Sequence, residues 1–185
     1  MKNLKIILSI MLVVFVSNEI FSQNAENVED HRNDKMNKFE GTWQWQSGDS
    51  LFVIILKKNK LSHKDTKGKT DILDVLIGWH EFSVNGVIIE SSLQYTEETD
   101  NKNTRTLIGG VNASDKLIKR LSFNDLSKSK LGKASLELLP GEKDLVRWTL
   151  KETPGVKVLL PGEEPDYTFT VPTDVIMRRI KKKNK

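Results

Sequence analysis

Residues 77–95 read IGWHEFSVNGVIIESSLQY, two apolar-rich runs on either side of Asn85-Gly86. Asn-Gly accepts the positive φ angles of a type I′ turn, whose twist matches that of paired antiparallel strands. The stretch therefore predicts a β-hairpin, IGWHEFSV against VIIESSLQY, and it decides the fold class because no flanking segment sustains a helical period. In the second arm, alternation places Val87, Ile89, Leu93 and Tyr95 on one side and Glu90, Ser92 and Gln94 on the other, the pattern of a strand with one dry and one wet face. In the first arm His80 shares a side with Leu76, Gly78 and Phe82, and Trp79 takes the opposite side.

Working outward, the same texture continues. Leu117, Leu121 and Phe123 oppose Arg120 and Ser122, and Val146, Trp148 and Leu150 oppose Arg147, Thr149 and Lys151, so both runs predict half-buried antiparallel strands. Leu51 to Leu56 is apolar on both sides, which predicts a strand covered twice or one whose outer face meets a loop or a partner. Ser47-Gly48-Asp49-Ser50, Pro140-Gly141, Pro154-Gly155 and Pro161-Gly162 supply turn chemistry between runs. The expected domain, residues 39–180, is all-β, an antiparallel up-and-down barrel of about 8–10 strands, with a β-sandwich as the alternative. Closure is favoured because it removes exposed strand edges in a chain that has no cysteine to staple it.

The ends of the chain point to a compartment. Lys2 and Lys5 precede an apolar run from Ile6 to Val16 and a polar stretch ending at Ser22, the layout of a secretory signal peptide, residues 1–22. Residues 23–38 carry charges and amides with few apolar side chains, and read as a polar disordered linker. The expected product is secreted or periplasmic, with no transmembrane segment in the mature chain. The formal charge of +4 is unevenly spread, since Arg178, Arg179, Lys181, Lys182, Lys183 and Lys185 all lie in the final eight positions. The body is thus mildly acidic, and the basic tail, 181–185, is a possible contact for an anionic envelope surface. A net-negative body argues against nucleic acid as a partner.

Phe39-Glu40-Gly41-Thr42-Trp43 resembles the Phe-x-Gly-x-Trp opening of the calycins, the lipocalins and fatty-acid-binding proteins. That resemblance implies a lipocalin-like barrel in which Trp43 closes one end and packs against a basic residue near the last strand, Arg178 or Arg179. The disulfides and helices that accompany a ligand cavity in that group have no counterpart in this sequence. A longer resemblance, carried by Gly41 to Trp45, Ile77 to His80, Val87 to Ser92 and Tyr167 to Asp174, is to a family of small secreted bacterial proteins of unknown function. It implies export and a β fold, and no activity.

Trp43, Trp45, Trp79, His80 and Trp148 are the candidate ligand-binding residues, because aromatic walls with a few polar groups are what small-molecule sites use. Core packing is the ordinary use of the same rings. No catalytic residue, metal ligand or cofactor motif emerges. There is no cysteine and no Gly-x-Ser-x-Gly elbow, and His63, Asp65, Asp71 and Asp74 lie among lysines without a metal-ligand spacing. Glu81 and Glu90 are placed to face each other across the hairpin as a carboxylate pair. Two functions stay open: an exported barrel binding a small apolar or amphipathic ligand, and an envelope or extracellular interaction module without a cavity, neither of them an enzyme.

Overall fold

The computed structural model describes residues 28–153 and 166–181. The expected signal peptide, the first part of the spacer, the turns at Pro154 and Pro161 and Lys182 to Lys185 lie outside the described residues. Among the described residues ten strands follow one another: β1 (Val28–His31), β2 (Gly41–Ser47), β3 (Ser50–Lys64), β4 (Thr70–Val84), β5 (Val87–Ser91), β6 (Leu107–Gly109), β7 (Leu117–Asp125), β8 (Lys130–Leu138), β9 (Leu145–Glu152) and β10 (Asp174–Ile180). Short 3-10 turns span Asp34–Lys38 and Leu93–Tyr95. The described residues fall into two compact units, one of 28–30 with 62–72, the other of 31–61, 73–153 and 166–181. In the small unit Lys69 pairs with Glu29 and with Asp71, the latter at 3.2 Å, and Asp65 Oδ1 accepts the Lys67 and Lys69 amides.

The large unit contains a closed antiparallel barrel. Its eight strands run β4-β3-β2-β10-β9-β8-β7-β6, and β6 returns to β4 by pairing Leu76 with Gly109 and Gly78 with Leu107. Chain order is kept throughout, with β2 meeting β10 where Arg179 stands opposite Trp43. The hairpin at Asn85-Gly86 forms as β4 and β5, and both central residues take positive φ, 53° and 73°. The fold is therefore the up-and-down barrel and not the sandwich.

Alternation fills the interior. Phe52, Ile54 and Leu56 from β3, Leu76 from β4, Phe123 from β7, Leu136 from β8, Val146 and Trp148 from β9 and Met177 from β10 are fully buried in one cluster. Burying a large side chain of this kind contributes about 1.5–3 kcal/mol. The rings meet edge to face, Phe52 to Trp148 at 5.6 Å and Phe123 to Trp148 at 5.8 Å between centroids, the geometry their quadrupoles prefer.

Three segments differ from what the sequence predicts of them. In β7, Ile118 and Leu121 both point inward, because a bulge sets Lys119 and Arg120 together against the single residue between Leu136 and Ala134. Leu117, grouped with the inward residues by simple alternation, is only half-buried. Residues 28–38, expected as a polar spacer, hold β1 and a 3-10 turn in which Met36 is fully buried. Long-range polar bonds fix this turn, since the Asn33 amide nitrogen donates to Val111 O at 3.1 Å and its backbone N–H to Asp74 Oδ2 at 2.8 Å. The third is β5.

Candidate interaction site

β5 is inverted relative to its sequence pattern. Glu90 and Ser92 are buried, while Val87, Ile88 and Ile89 are 63, 58 and 46% exposed. A bulge at Ile89 changes the register, so that Phe82 opposes Glu90 and its neighbour Ser83 opposes Ile88. Glu81 consequently lies opposite Ser91, whose hydroxyl donates to it at 2.9 Å, and the expected Glu81–Glu90 pair does not form. Among the described residues β5 pairs only with β4. Leu126, adjacent to the Ser127 amide that binds Glu90, adds a 39% exposed side chain at this end.

A buried polar network explains why the acidic face turns inward. His80 Nε2 meets Glu90 Oε1 at 2.6 Å and Nδ1 meets Thr106 Oγ1 at 2.8 Å. Ser92 Oγ accepts the His80 backbone N–H at 3.0 Å and lies 3.2 Å from Thr106 Oγ1. The Ser127 N–H donates to Glu90 Oε2 at 2.8 Å. Each buried group thus has partners, which removes most of the cost of taking it from water. Burial pushes the Glu90 carboxyl up, but the hydrogen bonds from His80 and Ser127 and the neighbouring imidazole outweigh it and hold the group below the usual carboxylate range.

Position in the sheet accounts for the network. β5 and β6 share one edge of β4, β5 at residues 81–84 and β6 at 76–78. Between them the chain leaves the sheet at Ser92, whose N–H donates to His80 O at 2.8 Å, and rejoins at Thr106, whose N–H donates to Gly78 O at 2.9 Å. The interruption brings Ser92, Thr106 and Glu90 around His80. A hydroxyl, an imidazole and a carboxylate in sequence share the composition of a nucleophilic relay. Here Thr106, His80 and Glu90 are 4, 0 and 6% exposed, and their hydrogen bonds tie β4, β5 and the segment at Thr106 together.

The other residues singled out in the sequence do not converge on one site. Trp43, Trp148 and His80 belong to the barrel interior, and Trp45 packs at its margin. Trp79 faces the other way, into an outer cluster with Val75, Ile77, Leu61, Leu93 and Ile108. The 92–106 excursion covers it, held by Lys57 Nζ on Thr96 O at 2.7 Å and the Asn59 amide on Thr99 O at 3.1 Å. Trp43 donates its indole N–H to Phe39 O at 2.8 Å, and the Arg179 guanidinium lies 4.1 Å from its ring centre. Arg179 also donates to Glu40 O and Lys38 O. Gly41, at φ 118°, leaves room for it, since a Cβ there would sit 3.1 Å from the guanidinium.

Two cavities among the described residues are open to the surface. One, about 440 Å³, is bordered by Lys38, Asp115, Asp144 and Arg179, and the other, about 470 Å³, by Gly109, Gly110, Lys119 and Arg120. Neither is lined by the five aromatic and histidine candidates.

Fold and site together define a closed antiparallel β-barrel with an aromatic-filled core and an inverted strand on its surface. The chain belongs to a family of unknown function (DUF6705), whose model matches residues 1–181. No curated protein and no solved structure matches it.

Proposed function

We propose that the protein is an exported docking module without a catalytic role, in which the barrel is a filled scaffold and β5 is the contact strand. The observation that carries this reading is the inversion of β5: three consecutive apolar side chains face solvent on a strand that pairs on one edge only, among the described residues. Soluble β proteins normally blunt such edges with outward charge or proline, and the exposed residues of β5, Val87, Ile88 and Ile89, supply neither. A free apolar edge takes an extended strand by main-chain pairing, with side-chain contacts adding specificity.

The occupant is β5 of a second copy, running antiparallel about a twofold axis. Self-pairing through Val87 to Ile89 opposes no like charges, because Glu90 is turned inward to His80. Sedimentation equilibrium of the mature chain tests this. The wild type is expected to associate as concentration rises and Ile88→Lys to stay monomeric with an unchanged circular dichroism spectrum. A wild type that remains monomeric at millimolar concentration overturns the reading. The alternative, an exported ligand carrier, draws support from the 440 Å³ rim cavity beside Arg179. A fatty-acid titration that alters tryptophan emission in the wild type and not in Arg179→Gln would favour it.

A further inference from the structure

We infer that the β7 bulge is a binding site for a phosphate-type oxyanion. In a regular strand consecutive side chains point to opposite faces, so one of Lys119 and Arg120 would enter the core. The bulge sends both outward, where they are exposed and border the 470 Å³ cavity with Gly109, Gly110, Val111 and Asn112. None of these lining residues is acidic, and among the described residues neither cation is in an ion pair.

The arrangement carries a conformational cost. Arg120 has φ 64°, a region that residues other than glycine seldom occupy and that persists only where surrounding structure enforces it. The neighbouring strand is shaped to the bulge, since a Cβ on Gly109 would fall 2.4 Å from Arg120 O. A surface lysine or arginine can be solvated from any unbulged strand position, so solvation gives no reason for this geometry. Two adjacent cations over a concave surface give one: they can take two oxygens of a single tetrahedral anion, with the guanidinium binding as a fork. The same chemistry is offered by free phosphate and by a phospholipid headgroup.

Amide chemical shifts of the mature chain are followed during addition of sodium phosphate at constant ionic strength, in parallel with co-sedimentation on phosphatidylglycerol and on phosphatidylcholine vesicles. The variants are Lys119→Gln and Arg120→Gly, the second of which relieves the positive φ and keeps the fold. Saturable shifts at 109–112 and 119–121, weakened roughly tenfold in both variants, support free phosphate as ligand. Wild-type sedimentation on the anionic vesicles alone, reduced roughly tenfold in both variants although the basic tail is intact, supports the headgroup. Wild type and variants that behave alike in both arms overturn the site. A raised melting temperature of Arg120→Gly with unchanged anion binding assigns the bulge to structure alone and also overturns it.

Discussion

His80 and Glu90 are the residues on which the surface of the molecule turns. Their bond holds the polar side of β5 inward, and its energetics are testable. Replacing His80 by phenylalanine leaves a buried carboxylate with one fewer partner and is expected to cost about 3–5 kcal/mol, whereas His80→Phe with Glu90→Leu should cost less than the sum of the two single changes. Urea denaturation of the four proteins measures both. The pH dependence has a definite sign. The folded Glu90 carboxyl lies below its ordinary value, so the stability it adds is present above the unfolded value of about 4.3 and is lost as pH falls through the folded value. Glu90→Gln should therefore flatten the decline in unfolding free energy as pH falls below the unfolded value of about 4.3. On β10, Arg179→Ala removes the cation from the Trp43 ring and two bonds to backbone carbonyls. A loss of about 1–3 kcal/mol, with altered Trp43 emission, is expected.

At the scale of elements, β4, β9 and the Asn85-Gly86 turn were legible because period and turn chemistry agree there. Val146, Trp148 and Leu150 are buried as alternation requires. β5 and β7 were not, and the cause is the same in both: a bulge adds one residue, and every side chain beyond it changes face. Nothing local marks Ile89 or Lys119-Arg120 as bulged. The inward face of β5 is set by Thr106 and Ser127, which are 16 and 37 positions from Glu90, beyond the reach of any window on the chain. The five proposed site residues failed to converge for a simpler reason, since Trp79 and His80 are neighbours in a strand and must face opposite ways. The Trp43–arginine contact implied by the first-strand motif is present, and Arg179 supplies it. Two substitutions probe this scale. Ile88→Lys, at a position 58% exposed, should change stability by no more than about 0.5 kcal/mol. Gly109→Ala drives a methyl into Arg120 O and should cost about 2–4 kcal/mol in the same denaturation assay.

Taken whole, the molecule joins a closed barrel, in which the Phe52, Phe123 and Trp148 rings meet edge to face, to one strand that wears its apolar side outward. Closure removes the edges of the ring strands, and β5, lying beside the ring on β4, keeps an edge. Association through that edge is the central claim. Hydrogen exchange of the mature chain, read by NMR at several protein concentrations, tests it most directly. The account predicts that β5 amides not bonded to β4 gain protection as concentration rises, while amides of β8 and β9 stay unchanged. Exchange in β5 that is independent of concentration, together with fatty-acid-induced changes at His80 and Trp148, would contradict it.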